Sequence, residues 1–316
     1  MAAPRDPAQL VESLHHGDRG ALARALSLVE RGGPPARAVG ALAWPLGGGS
    51  YTLGVTGAPG AGKSTLTNRL LGTVRSAGTE VAVLAIDPSS PFSGGAILGD
   101  RVRMQEHALD AGVFIRSMAT RGHLGGLALS TPQALRVLDA AGYPWVIVET
   151  VGVGQVEVEV AAAADTTIVV VNPGWGDSVQ ANKAGLLEIA DVFVINKADR
   201  PGLGEARGDL RTMLELSNLA DDAWMPPIVA TVAETGEGTD ELWAAVGEHR
   251  AHLERTGGLA ERRSARLLDE IRQIVARSLE ERAYELTTGE GFAALVADVE
   301  ARRLDPYAAA ERITAD

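Results

Sequence analysis

The feature that most restricts the fold is a repeated alternation of short apolar runs with segments of helical periodicity. Several runs are apolar throughout, as a strand buried on both faces of a sheet requires. The alternation predicts an α/β protein with a mostly parallel, doubly wound sheet covered by helices. The predicted strands are Tyr51–Thr56, Val81–Ile86, Val113–Ile115, Trp145–Val148, Thr167–Val171, Val192–Ile195 and Ile228–Thr231.

Helical patterns without strand signals flank this central region. Residues 6–31 predict a helix that ends at Gly32-Gly33-Pro34-Pro35, and helical patterns rich in charge follow residue 238. We therefore expect an N-terminal helical extension over residues 1–48, a nucleotide-binding domain over residues 49–250, and a C-terminal helical arm over residues 251–316.

The composition argues against several classes of function. The chain carries 41 acidic and 29 basic residues, a net charge of −12, which disfavours nucleic acid as a partner. Cysteine is absent, so disulfides and thiolate metal sites are excluded. No apolar run reaches the roughly 18 residues of a membrane span, and the first residues lack the apolar stretch of a secretory signal. We expect a cytoplasmic protein that does not bind membranes.

A phosphate-binding motif follows the first predicted strand: Gly57-Ala-Pro-Gly-Ala-Gly-Lys63-Ser64, directly before a helical pattern. This is the P-loop pattern in its strand-to-helix context. Its glycines let backbone N–H groups turn toward phosphates, Lys63 reaches the terminal phosphates, and the Ser64 hydroxyl binds Mg²⁺. The predicted phosphate-binding residues are Gly57, Ala58, Pro59, Gly60, Ala61, Gly62, Lys63, Ser64 and Thr65.

Three acidic residues stand where further magnesium ligands are needed. Asp87 and Glu149 each end a predicted strand, and Asp100 follows the loop after Asp87. Ligands of such sheets bind beyond the carboxyl ends of the strands, and Mg²⁺ prefers oxygen ligands. We therefore predict that Ser64, Asp87, Asp100 and Glu149 hold Mg²⁺.

The segment Glu149-Thr-Val-Gly152 occupies the place of the Asp-x-x-Gly switch of many GTPases. The backbone N–H of Gly152 would sense the γ-phosphate. Gln155 is a candidate to orient the attacking water, although an ordinary polar loop residue is an equally good interpretation.

A second motif, Asn196-Lys197-Ala198-Asp199, follows the strand Val192–Ile195. An Asp carboxylate accepts hydrogen bonds from N1–H and the 2-amino group of guanine, and adenine offers neither. An unpaired buried polar group is costly, so the motif predicts GTP and GDP as ligands. The backbone of Thr231-Val-Ala233 would offer N–H groups to the guanine oxygen. The predicted guanine-binding residues are Asn196, Lys197, Asp199, Thr231, Val232 and Ala233.

Four long motifs, at residues 87–104, 116–126, 149–155 and 173–185, closely resemble those of the MeaB/ArgK GTPases. These GTPases are the G-protein chaperones of adenosylcobalamin-dependent acyl-CoA mutases, and the resemblance covers most of the chain. It implies a P-loop G domain of the SIMIBI class, a C-terminal arm that forms a homodimer, and magnesium-dependent GTP hydrolysis.

The resemblance also implies a task and residue roles. Such proteins bind the mutase, with methylmalonyl-CoA mutase as the expected partner in this case. They gate delivery of adenosylcobalamin from an adenosyltransferase and help to eject damaged cofactor. Residues 173–185 would form a third switch that contacts the mutase, with Asp177 and Lys183 as switch residues and Lys183 assisting hydrolysis. Asp87, Asp100 and Glu149 fall on the family's magnesium and switch carboxylates.

None of the six histidines has an Asp two positions before it, so the Asp-x-His-x-x-Gly signature of base-off cobalamin domains is absent. We expect no cobalamin to be bound by this chain alone. Two alternatives remain: a protein kinase of the ArgK amino-acid transport type, and a nickel-insertion GTPase. Nickel-insertion proteins rely on Cys and His ligands, and this chain has no Cys.

Overall fold

The computed structural model describes residues 6–88, 107, 109–120, 126–150, 156–175, 185, 188–216 and 223–314. The strands are β1 Tyr51–Gly57, β2 Val81–Pro88, β3 Val113–Thr120, β4 Trp145–Thr150, β5 Thr166–Val171, β6 Val192–Asn196 and β7 Ile228–Thr231. The helices are α1 Pro7–His15, α2 Arg19–Arg31, α3 Gly33–Ala43, α4 Lys63–Ser76, α5 Gly126–Ala140, α6 Val156–Ala163, α7 Leu203–Leu216, α8 Thr239–Thr256, α9 Gly258–Leu286, α10 Glu290–Glu300 and α11 Pro306–Thr314.

The strands form one parallel sheet in the order β3-β2-β4-β1-β5-β6-β7. This confirms the predicted fold class, and every predicted strand is present. The strand β3 runs five residues beyond the predicted end at Ile115. The next residue of the strand is Arg116, whose guanidinium bonds to Glu30 on α2 at 2.9 Å. The prediction stops at Ile115 because it follows an apolar run, and a charged residue ends such a run.

Parallel pairing places the carboxyl ends of these strands at one edge of the sheet. The register pairs Val55 with Glu149 between β1 and β4, and Asn196 with Thr231 between β6 and β7. The P-loop, Glu149 and the guanine motif therefore lie at the ends of strands that finish at the same edge, as the ligand rule for open sheets requires. We call this the nucleotide edge.

Helices cover both faces of the sheet. On one face, α1, α2, α3 and α5 share an apolar cluster with strand residues such as Val148. On the other, α4 and α8 share a cluster that includes the neighbouring residue Ile147. A third cluster joins α7 to β5 and β6. Adjacent strand residues point to opposite faces, and both faces are apolar because both are covered.

The N-terminal region differs from the single predicted helix over residues 6–31. The chain breaks at His16-Gly17-Asp18 into α1 and α2, where Gly17 has a φ of 87°. The Asp18 carboxylate accepts hydrogen bonds from the backbone N–H groups of Gly20 and Ala21, which caps α2. The Gly-Pro segment ends α2 but also begins α3, because proline is well tolerated in the first helical turn.

Contacts divide the chain into two compact units, Met1–Arg266 and Leu267–Asp316, here called the first unit and the C-terminal unit. The first unit holds the sheet and all three apolar clusters. Within residues 267–314, none of the described side chains is fully buried. The domain boundaries at residues 48 and 250 stay a prediction. No described helix is both long and apolar enough to cross a membrane.

Candidate nucleotide site

The loop between β1 and α4 follows a path that only glycines allow at two points. Gly57 has a φ of 133° and Gly62 a φ of 94°, in a region that side chains disfavour. A Cβ atom at Gly57 would overlap the backbone carbonyl of Val170, and one at Gly62 would overlap the side-chain amide of Asn196. The loop is therefore packed against β5 and against the guanine motif.

The ammonium of Lys63 lies inside this loop. Lys63 is the first residue of α4 and is 7% exposed. Its Nζ donates to the carbonyl oxygens of Gly57 at 2.7 Å and Ala58 at 3.1 Å. A positive charge and the amino end of a helix therefore meet in one concave loop, an arrangement that suits phosphate groups.

Two candidate magnesium ligands contact each other beside the loop. The Ser64 hydroxyl donates to Oε1 of Glu149 at 2.5 Å, and the Glu149 side chain is fully buried at the end of β4. A hydroxyl and a carboxylate are oxygen ligands of the kind that Mg²⁺ prefers, so the pair fits the predicted metal. Among the side chains that the structure describes, no group of three His, Asp or Glu residues forms a metal site by itself.

Several predicted site residues cannot be added to this geometry. Asp87 lies in β2, but its side chain is outside what the structure describes. The remaining ones lie outside the described residues altogether and stay predictions: Asp100, Gly152, Gln155, Asp177 and Lys183.

Asn196 joins the P-loop to the segment after β7. Its buried side chain donates from Nδ2 to the carbonyl oxygen of Ala61 at 2.7 Å. Its Oδ1 accepts from the Thr231 hydroxyl at 3.1 Å and from the backbone N–H of Ala233 at 3.0 Å. The side chain is thus engaged with protein groups on both sides, so its role in this arrangement is to position the two loops.

A cleft lies next to Asn196 at the nucleotide edge. Lys197 has a φ of 59° and its Nζ donates to the carbonyl oxygen of Gly60 at 2.6 Å, while Asp199 is exposed to solvent. The cleft is lined by Gly62, Thr65, Asn196, Lys197, Asp199, Arg200, Val232, Ala233 and Glu234. Because P-loop residues and guanine-motif residues line the same cleft, a ligand can contact both motifs at once.

The segment after β7 uses its amides within the protein. The N–H of Val232 donates to the carbonyl oxygen of Glu237 at 3.0 Å, and the N–H of Ala233 donates to Asn196. Donation from these groups to a guanine oxygen would require these bonds to be exchanged. Their predicted contact with the base stays a prediction.

Sequence reasoning did not single out Arg69, although it contacts this segment. From α4, its Nε donates to the carbonyl oxygen of Ala233 at 2.9 Å, and Nη2 donates to that of Glu234 at 2.5 Å. The partners are backbone atoms more than 160 residues downstream, so no sequence pattern could have indicated the contact.

A second charged group, also missed, lies at the opposite edge of the sheet, where β5 and β6 begin. Arg262 bonds to Asp191 at 2.8 Å, Arg263 bonds to Asp165 at 2.7 Å, and Arg266 also pairs with Asp165. We call these five residues the anchor cluster. It fastens the first turns of α9 to the sheet.

The anchor cluster keeps buried carboxylates ionised. Burial alone would raise the pKa of Asp165, but the hydrogen bond from Arg263 and the charge of Arg266 outweigh it and hold the pKa below its ordinary value. Burial opposes ionisation of Asp191 too, and hydrogen bonds from His249 and Arg262 lower its pKa overall. Buried charges of this kind are stable only while their partners remain in place.

Similarity to known proteins decides the family. A family model described as Methylmalonyl Co-A mutase-associated GTPase MeaB matches residues 22–288. The chain belongs to the MeaB family. The match spans every described nucleotide-edge residue, from the P-loop to the segment after β7.

Individual members of the MeaB family and its structural neighbours agree. A Pyrococcus abyssi protein, named as an inferred GTPase, is 48% identical over 307 residues, which cover 96% of this chain and 95% of that protein. The GTPase ArgK of Escherichia coli is 38% identical over 273 residues, covering 84% and 82%. A crystal structure titled LAO/AO transport system kinase has a TM-score of 0.72 at 30% identity and covers 99% and 98%.

These similarities confirm the predicted family and the predicted enzyme class. This MeaB-family chain is a P-loop GTPase, and a GTPase binds guanine nucleotides. Which side chains hold the nucleotide and its metal ion stays a prediction.

Proposed function

We propose that this MeaB-family GTPase is a chaperone of an adenosylcobalamin-dependent acyl-CoA mutase, with methylmalonyl-CoA mutase as the first candidate. The supporting observation is the match over residues 22–288 to a family whose description names that mutase. GTP binding and hydrolysis would be coupled to delivery and protection of the cofactor. An adenosyltransferase would supply adenosylcobalamin, which this chain alone would not bind.

In the proposed nucleotide complex, the P-loop residues Gly57–Thr65 surround the phosphates and Lys63 contacts the terminal ones. Ser64 and Glu149, together with Asp87 and Asp100, would hold Mg²⁺. When bound, the ion would neutralise charge on the phosphate oxygens. Phosphoryl transfer is accelerated mainly by positioning and charge neutralisation, which these residues would provide.

For the base, we propose that Asp199 accepts two hydrogen bonds from guanine while Asn196 holds the surrounding loops. Asp199→Asn replaces one acceptor by a donor that faces N1–H or the 2-amino group. We expect GDP affinity to fall by about 10² or more, as for a site whose polar partner is left unpaired. Calorimetry with GDP and ADP on both proteins tests this, and equal affinities in the unmodified protein would contradict the assignment.

For regulation, we propose that residues 173–185 contact the mutase and that Lys183 assists hydrolysis when the partner binds, with Gly152, Gln155 and Asp177 as further switch residues. GTP turnover should rise when the mutase is added. Lys183→Ala should lose this rise and keep the unassisted rate, whereas Lys183→Arg, which keeps the charge, is the matched control. If no acyl-CoA mutase stimulates turnover, the chaperone proposal fails while the GTPase assignment stands.

We also propose that the C-terminal unit forms the contact of a homodimer. Its helices surround an apolar groove of about 680 Å³. The groove is lined by residues that include Leu279, Leu286, Phe292, Leu295, Val296 and Ile313. A second copy of the chain would cover apolar surface that the described residues of this unit leave open to water.

A kinase remains the competing proposal, because the solved relative's title names a transport system kinase. Incubation with γ-labelled GTP or ATP separates the two activities. Label released as phosphate fits the GTPase chaperone, and label transferred to a protein substrate would favour the kinase.

A further inference from the structure

Arg69 holds two consecutive carbonyl groups at the base side of the nucleotide cleft. Its Nε bonds to Ala233 at 2.9 Å and its Nη2 bonds to Glu234 at 2.5 Å. Both partners line the cleft. Hydrogen bonds from a charged guanidinium are among the stronger ones in proteins, and its rigid fork fixes the direction of both acceptors.

The contact of Arg69 completes a closed set of hydrogen bonds between the P-loop with its helix α4 and the segment after β7. The P-loop carbonyl of Ala61 accepts from Asn196, and Asn196 accepts from the N–H of Ala233. The carbonyl of the same residue, Ala233, accepts from Arg69 on the P-loop helix α4. Ala233 is therefore held at its N–H by Asn196, which itself bonds to the P-loop, and at its C=O by Arg69 on the helix that follows the P-loop.

The segment held by Arg69 is a short turn between Val232 and Glu237. A bridge from Val232 to Glu237 turns the chain back on itself, and the Arg69 side chain also lies close to Gly236, where a Cβ would be 3.9 Å from Arg69 Cδ. Without Arg69, the carbonyls of Ala233 and Glu234 would lose their described side-chain partner. The segment could then shift relative to the P-loop while its own turn stays intact.

We infer that Arg69 is a positioning residue that sets the base side of the cleft at the distance from the P-loop that a guanine nucleotide requires. Arg69 acts through the segment after β7 and has no assigned contact with the nucleotide. This inference rests on the proposed placement of guanine beside Asp199. It makes the binding of the base depend on a residue of the phosphate-binding helix.

The test compares a ligand that has a base with one that lacks it. Calorimetry on the full chain measures GDP and inorganic tripolyphosphate binding to the unmodified protein and to Arg69→Gln. We expect GDP affinity to fall about tenfold, as for the loss of two hydrogen bonds, while tripolyphosphate affinity stays the same. A general loss of structure would weaken both ligands alike.

Arg75→Gln is the matched control. Arg75 lies on the same helix and donates to both oxygens of Asp110, at 2.8 and 2.9 Å, and to the carbonyl oxygen of Thr79 at 2.9 Å. Its loss removes at least as many hydrogen bonds, and neither partner lines the cleft. The control should bind both ligands as the unmodified protein does. If Arg69→Gln does not fold, Arg69→Lys keeps the charge without the fork and should show the same split between the two ligands.

Unchanged GDP affinity in the Arg69 variant, or an equal fall for GDP and tripolyphosphate, would overturn the inference. ADP binding to the unmodified protein separates this result from failure of the base assignment. If the unmodified protein binds ADP as tightly as GDP, the base assignment and the inference both fail. If it prefers GDP and the Arg69 variant binds normally, only the inference fails.

Discussion

The two units of the chain differ in how far their large apolar side chains are exposed to solvent. In the first unit, Leu53, Leu70 and Ile147 are 0% exposed. In the C-terminal unit, Ile271 and Val275 on α9 are 58% and 52% exposed. The first unit therefore contains its own core, whereas the described residues of the C-terminal unit do not cover that unit's apolar side chains.

The first unit is stabilised by burial of its own apolar side chains, whereas the C-terminal unit needs another surface for such burial. Burying apolar surface contributes about 25 cal/mol per Å², and helices in proteins owe most of their stability to such burial. The described residues of the nucleotide edge belong to the first unit, which has this burial. The C-terminal unit gains comparable burial only when another surface covers it, and four experiments test this contrast.

The largest expected effect is on catalysis in the first unit. Lys63→Ala removes the buried ammonium from the P-loop, and GTP turnover should fall on the order of 10³-fold, since charge stabilisation at the phosphates is lost. Phosphate release measures turnover, and sedimentation of the same variant should be unchanged. A fall of less than tenfold would show that Lys63 does not contact the reacting phosphates.

Next in size is a matched pair of Leu→Ala substitutions. Leu70→Ala leaves a cavity in the core and should lower the unfolding free energy by about 2–5 kcal/mol. Leu268→Ala, at a side chain that is 54% exposed, should cost about 0.5 kcal/mol or less in dilute monomer. Urea unfolding followed by far-ultraviolet circular dichroism reports on the helices of both units, and tryptophan fluorescence reports on the first unit alone, where all five tryptophans lie. Similar losses in both variants would break the contrast.

Self-association should depend on the exposed stripe of α9. Ile271 and Val275 lie one helical turn apart, and changing both to Glu places charge in the proposed dimer contact. We expect the dissociation constant of the dimer to rise about 100-fold or more, since buried unpaired charge is strongly unfavourable.

The matched control for this pair is Ala276→Glu, which lies about 100° around the helix from Val275. Analytical ultracentrifugation over a concentration series measures both proteins, and GTP turnover by the separated monomers should match the unmodified protein. A dimer of unchanged strength in the Ile271/Val275 variant would exclude this surface.

The smallest expected effect is a pH dependence that originates in the anchor cluster. Asp165 has a lowered pKa when folded, so the unfolded chain binds more protons as the pH falls below about 4. Stability from this carboxylate is therefore complete near neutral pH and is lost as the pH falls through the folded pKa. Urea midpoints between pH 7 and pH 3 should decline less in Asp165→Asn than in Asp240→Asn, an exposed control. Equal slopes would remove Asp165 as the cause.

Sequence patterns predicted the features that depend on neighbouring residues. The P-loop and the motif that begins at Asn196 each follow a strand, and the strands were recognisable because both faces of the sheet are buried. The capping residue Asp18 could have indicated the break between α1 and α2, since Asp is a preferred helix cap. Leu14 and Leu22 suggested one continuous helix because the apolar spacing continues on both sides of the break.

Contacts between distant residues could not be predicted in this way. Arg69 bonds to backbone carbonyls, which every residue type possesses, so its partners leave no mark in the sequence. Arg263 and Arg266 belong to a helical pattern that is rich in charge, and nothing in that pattern indicates that both bond to Asp165 about 100 positions earlier. Only the folded arrangement distinguishes such residues from the other arginines of the chain.

The contact between Gly62 and Asn196 limits how descendants of this chain can diverge. Any side chain at Gly62 would occupy the space of the Asn196 amide, and a bulkier group at Asn196 would press on the loop at Gly62. A side chain at Gly62 would need both space beside Asn196 and a backbone that tolerates a φ of 94°. The P-loop and the motif that begins at Asn196 are thus coupled by direct packing, so a change in the backbone of one loop is transmitted to the other.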